Sequence, residues 1–125
     1  MIEVTGKPIK IEDAFEIFVE GAGSVFLHYA IIRTEEEAEQ TLGEVVDGDG
    51  NIHSELKDIY GEVCSKWPVI DLVIRKRVGK LKMGDIASLI AIAAPHRREA
   101  FGAYEQIIRK LEPLKSVKKE TVTPG

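Results

Sequence analysis

At 125 residues, with 44% hydrophobic and 30% charged side chains, the chain has the make-up of one globular domain over residues 1–125. A formal charge of −4 argues against a general nucleic-acid binder but still allows local basic clusters that hold a small anion. One cysteine, Cys64, excludes an internal disulfide, and the three histidines, His28, His53 and His96, are too scattered for a zinc pattern.

No apolar run approaches the roughly 18 residues of a membrane span, and the polar start MIEVTGKPIK does not read as a signal peptide, so a cytoplasmic address is expected. No Walker or Rossmann glycine loop and no Gly-x-Ser-x-Gly elbow occurs. Any chemistry must come from Lys, Arg, His or carboxylates assembled by the fold.

In chain order, Ile2–Val4 and Pro8–Ile11 read as short extended pieces. A helix is expected from Glu12 to Glu20, with Phe15, Phe18 and Val19 on its buried side, closed by Gly21 and Gly23. Ser24 to Arg33 is rich in β-branched and aromatic residues and apolar on both faces, which predicts an interior strand. His28 lies mid-strand, as a core histidine would, and Arg33 closes the strand at its solvated end.

Thr34 and Glu37 form a capping box for a short acidic helix to about Leu42. Val45 to Asn51 carries two Asp-Gly steps and reads as a turn; its acidic spacing does not fit a calcium loop. From His53 to Trp67, the residues Leu56, Ile59, Tyr60, Val63, Cys64 and Trp67 make one helical stripe ended by Pro68. Cys64 is therefore expected as a buried structural thiol.

Val69 to Arg77 alternates like a half-exposed strand with a basic outer end. After a turn-rich link, Ile86 to Ala94 predicts a buried strand. A helix from Pro95 to about Leu111 follows, with Ala100, Phe101, Tyr104, Ile107, Ile108 and Leu111 inward. The link is too short for a crossover helix, so these two strands should pair antiparallel. The tail from Leu114 to Thr123 carries Lys115, Lys118 and Lys119 and reads as an added edge strand. The order β-α-β-α-α-β-β-α-β predicts an α+β domain of two layers.

The most informative stretch is Gly84 to Phe101. It delivers His96, Arg97 and Arg98 to the first turn of a helix, an arrangement suited to anions. The helix dipole disfavours positive charge there by about 0.3–1 kcal/mol per residue, so another group should offset it.

Several strings in the second half carry a resemblance: Arg77-Val78-Gly79-Lys80-Leu81, Gly84-Asp85-Ile86, and Ala94-Pro95-His96-Arg97 with Ala100-Phe101. Trp67-Pro68 and the closing Val117-Lys118-Lys119-Glu120 add to it, as does Gly23–Arg33 in the first half. Together they resemble the large, catalytic subunit of molybdopterin synthase, the MoaE family. The resemblance covers about His53 to Val122.

It implies an α/β-hammerhead fold with a mainly antiparallel sheet, and a homodimer within a heterotetramer. At each end a small ubiquitin-like sulfur carrier would insert its C-terminal Gly-Gly thiocarboxylate into a pocket of the large subunit. The implied reaction is that of a sulfurtransferase. Two sulfurs pass in turn to cyclic pyranopterin monophosphate, forming the dithiolene of molybdopterin in molybdenum cofactor biosynthesis, with no metal or further cofactor.

By position, His96 and Arg97 match the family's substrate-binding His-Arg, and Arg33 matches a strand-closing arginine that reaches the pocket of the other protomer. Lys118 matches the lysine of the closing segment and is the first catalytic candidate. Glu112 stands where the family has a second pocket lysine. Lys110 or Lys115 could replace it; Lys115, nearer the tail, is preferred as the second catalytic candidate. The same departure leaves an alternative, a catalytically degenerate member that binds the carrier or an anion.

Overall fold

The apolar run Ile86–Ala94 becomes the strand on which the molecule is assembled. The structure is a computed structural model that describes residues 1–37 and 52–111. Within them are β1 (Ile2–Thr5), a 3-10 helix (Ile11–Glu16), β2 (Ser24–Ile31), α1 (Ile52–Lys66), β3 (Asp71–Arg77), β4 (Ile86–Ala94) and α2 (Arg97–Leu111). The acidic helix is seen at its start: the Glu37 backbone N–H donates to the Thr34 hydroxyl at 3.0 Å, as the capping box requires. The Asp-Gly segment and the lysine tail lie outside the described residues.

The sheet order is β1-β3-β4-β2. β4 pairs antiparallel with β3 and with β2, and β1 pairs parallel with β3. The fold is thus α+β with a mixed, mainly antiparallel sheet, and the predicted β3–β4 pairing is present. Both helices cover one face. Leu72, Ile74, Ile90 and Ile92 meet Leu56, Ile59 and Val63 of α1 and Ala100, Ala103 and Ile107 of α2. Burying each of these large aliphatic side chains contributes about 1.5–3 kcal/mol.

α2 approaches the sheet through small residues, so Ala100, Ala103 and Ile107 are its buried line, whereas Phe101 stands exposed at the rim. Phe101 packs edge-on against Phe26 at 5.2 Å between ring centroids, so its aromatic face is used without being buried. In α1 the buried line is Leu56, Ile59 and Val63, which rotates Cys64 outward. Cys64 is exposed, contrary to expectation. Local desolvation pushes its thiol pKa up, against a smaller lowering by a hydrogen bond with Tyr60, so it is a poor nucleophile.

Three further expectations are corrected on the opposite face. Residues 12–20 do not form an α-helix. A 3-10 helix stops at Glu16, Ile17 is extended, and the Phe18 N–H donates to the Asp71 carboxylate at 2.8 Å. Only Ala14 of the 3-10 helix is buried; Phe15 is 79% exposed, and Phe18 and Val19 also face outward. The cause is electrostatic. Arg75, which alternation placed in solvent, is 6% exposed and turns the carboxylates of this segment toward the sheet. Its guanidinium lies 3.3 Å from Asp13, 2.9 Å from Glu16 and 3.4 Å from Glu3. β3 is accordingly buried on both faces, with Val73 covered as well.

β2 is the third correction. It is an edge strand among the described residues, not an interior one. Phe26 and His28 turn toward α2, each against Tyr104, with centroids 4.6 and 5.2 Å away. Val25, Leu27 and Ile31 project from the other face and remain exposed. Hydrophobicity on both faces therefore reflects a packed side and an uncovered side.

Candidate functional site

Where β2 begins and β4 ends, the chain forms a concave corner of about 750 Å³. It is lined by Gly23, Ser24, Pro95 and the first turn of α2, His96 to Glu99. The register places Ser24 opposite Ala94, and the Gly23 N–H donates to the Ala94 carbonyl at 3.0 Å. A Cβ on Gly23 would lie 2.2 Å from the Pro95 carbonyl oxygen. Only glycine lets the two backbones approach so closely, and that approach closes the wall of the corner.

His96 caps α2. Its carbonyl accepts from the N–H groups of Glu99 and Ala100 at 3.2 and 3.3 Å. The Glu99 carboxylate reaches back, accepting from the His96 backbone N–H at 3.3 Å and lying 3.3 Å from the imidazole Nδ1. This carboxylate is the group that offsets three cationic or ionisable side chains in the first turn. Sequence reasoning missed it, although the three-residue spacing from His96 to Glu99 carries the signal. In the sequence Gly23 reads as a helix terminator and as the start of the Gly23–Arg33 resemblance, and neither signals its contact with Pro95.

The His96 side chain is 78% exposed, and Arg97 and Arg98 are exposed beside it. The corner thus offers free cationic donors and helix N–H groups to an anion from solvent.

The predicted site residues divide into three groups. His96 and Arg97 are brought together. Lys115 and Lys118 lie outside the described residues, so the structure does not test them. Arg33 is in the opposite region: β2 runs antiparallel to β4, and Arg33 follows the end of β2 that pairs with Ile86. At about 3.3 Å per residue, it sits about 25–30 Å along the strand from Ser24. There its guanidinium pairs with Glu37 at 2.8 Å. The hydrogen bond from the Arg33 backbone, with added help from its side chain, holds the Glu37 carboxyl below the usual range.

Among the described residues, no cluster of three or more His, Cys, Asp or Glu side chains could hold a metal ion. None of the helices described is long and apolar enough to cross a membrane.

The profile of the MoaE protein family matches residues 4–113, which include the whole corner. The chain belongs to the MoaE family. The profile match stops short of Lys115 and Lys118.

A molybdopterin synthase catalytic subunit of Staphylococcus aureus is 29% identical over 124 residues, covering 96% of this chain and 82% of the relative. One from Pyrococcus abyssi is 35% identical over 69 residues, covering 55% of this chain and 47% of the relative. Among solved structures, the crystal structure of molybdopterin synthase from Staphylococcus aureus superposes with a TM-score of 0.70 at 25% identity, covering 90% of this chain and 83% of that one. A complex of subunits 1 and 2 of molybdopterin-converting factor from Helicobacter pylori shares the MoaE fold at a TM-score of 0.66 and 11% identity, over 98% and 89% of the chains.

Proposed function

We propose that this MoaE-family chain is a catalytic subunit of molybdopterin synthase, a cytoplasmic sulfurtransferase. It would accept sulfur from the C-terminal thiocarboxylate of a small ubiquitin-like carrier and pass it to cyclic pyranopterin monophosphate, forming the dithiolene of molybdopterin. The observation that carries the reading is the His96–Arg97 pair at the mouth of the Gly23–Pro95 corner, an imidazole beside a guanidinium, both exposed and set on a helix N-terminus. A phosphate-bearing substrate suits that chemistry. The sulfur comes from the partner, so the exposed, poorly nucleophilic Cys64 is not required.

In this reading Lys118 and Lys115 are the catalytic amines and Arg33 binds substrate with His96 and Arg97. Arg33 and His96 belong to opposite ends of the sheet in one chain, so a second copy must supply one of them. A twofold axis beside the edge strand β2 would bring the Arg33 end of one protomer to the His96 end of its partner, giving a homodimer that carries one small subunit per site.

The test is reconstitution with a thiocarboxylated carrier and the cyclic pterin precursor, reading out molybdopterin. Turnover is expected. Lys118→Ala should abolish it while carrier affinity stays nearly intact, and Arg97→Ala should chiefly raise KM. Glu112, which stands at a lysine position of the family, favours a different reading, a member that binds carrier without turnover. Carrier binding with no product in the unmodified protein would select it.

A further inference from the structure

At the far end of the sheet from His96, the connection from β3 to β4 encloses another concave site, of about 360 Å³. It is lined by Pro8, Arg77, Lys80, Leu81, Lys82 and Asp85. The turn is firmly held. Val78 N–H donates to the Thr5 carbonyl at 2.9 Å, Gly84 N–H to the Ile32 carbonyl at 2.8 Å, and Lys82 N–H to the Asp85 carboxylate at 3.0 Å. Leu81 is buried as its anchor, leaving Lys80 and Lys82 exposed on either side. Gly79 and Gly84, at φ of 109° and 89°, supply the left-handed backbone that this reversal needs.

The electrostatics of the site are unbalanced. The Arg77 side chain is only 13% exposed, yet its donors are poorly used. Nη1 stands 3.5 Å from the Asp85 carboxylate and Nη2 3.4 Å from the Lys80 carbonyl, both long, and the buried Nε has no hydrogen-bond partner, as is also true of the Arg75 Nε. Two residues earlier on the same strand, Arg75 has three carboxylates around it. Among the described residues lining the site, three cationic side chains, Arg77, Lys80 and Lys82, face one carboxylate, Asp85, which already accepts from a backbone N–H. A buried guanidinium with unused donors is costly, and water would answer the missing bond but not the surplus charge. An oxyanion in the concave site answers the surplus charge, meeting the outer nitrogens of the arginine and the point charges of the two lysines.

We propose that the β3–β4 turn is an additional anion site, specific for a phosphate group, formed by Arg77, Lys80 and Lys82 and separate from the His96–Arg97 corner. It does not depend on the sulfur-transfer reading. The phosphate could be the free ion or that of a phosphorylated small molecule.

The experiment is an amide NMR titration of the full chain with inorganic phosphate, at ionic strength balanced by chloride. Saturable shifts are expected in residues 77–85, independent of those at the His96–Arg97 corner, with Kd on the order of 1 mM. The double variant Lys80→Ala/Lys82→Ala, at exposed positions that do not threaten the fold, should weaken this binding about tenfold. Arg97→Ala should leave it unchanged. A parallel titration with a phosphate monoester separates the sources: tighter binding assigns the site to a phosphorylated molecule, and weaker binding to the free ion. Shifts matched by chloride, binding unaffected by the double variant, or binding lost in Arg97→Ala would each overturn the proposal.

Discussion

The two faces of the sheet are built by different physics. The face toward α1 and α2 is a closed apolar layer in which Leu72, Ile74, Ile90 and Ile92 are fully covered. The other face has a small apolar cluster, Ile9, Ala14, Ile86 and Leu89, and a buried arginine held by carboxylates. It leaves Phe15, Phe18, Val25, Leu27 and Ile31 in solvent. The helix-covered face can specify the fold of one chain unaided. The opposite face is left incomplete by the described residues, and large uncovered apolar patches mark sites of protein association.

The largest effect should come from the helix-covered face. Ile92→Ala removes a fully buried side chain between both neighbouring strands and the helices and should cost about 2–5 kcal/mol in denaturant unfolding. A loss below about 1 kcal/mol would mean that this layer collapses around the gap and is not the rigid side of the molecule. Arg75→Met should cost less, about 1–2 kcal/mol. It removes charged hydrogen bonds, but Glu3 and Glu16 are about half exposed and can return to water. Its distinguishing mark is local: faster amide exchange in residues 11–16 with little change in α1 and α2. Equal loosening of both faces would break the comparison.

How far the sequence predicts the molecule differs between the faces in the same way. Hydrophobic periodicity located α1, β3, β4 and α2 because each buries its apolar line against others of the same kind. It failed at residues 12–20, where Phe15 and Phe18 imply a buried helix, because the deciding partner was Arg75, sixty residues downstream from Phe15 and read as a solvated strand end. A long-range ion cluster leaves no periodic trace. β2 misled for a related reason: it is an edge strand among the described residues, packed on one face and apolar on the other, and that composition is the one an interior strand has. At the site, His96 and Arg97 were legible from their place after Pro95. The closeness of Gly23 to Pro95 was not, since it depends on the β2–β4 register. Arg33 was predicted as a site residue, and its distance from His96 is visible only once the antiparallel pairing is known.

The smallest effect on folding should come from the uncovered face, and it is the sharpest test of the division. Leu27 is exposed at mid-strand on β2, on the side away from the helices. Leu27→Ser removes apolar surface that already meets water, so the unfolding free energy of the isolated chain should change by no more than about 0.5 kcal/mol. If two copies pair across β2, the same substitution sits at their junction. Sedimentation should then show self-association weakened about tenfold, the equivalent of about 1.4 kcal/mol for the lost burial. Molybdopterin formation should fall with it, because the Arg33 and His96 ends would no longer be held together, and it should recover at higher protein concentration. A variant that folds, associates and turns over like the unmodified protein would place the pairing surface elsewhere. One that fails to fold would show that β2 is covered within a single chain.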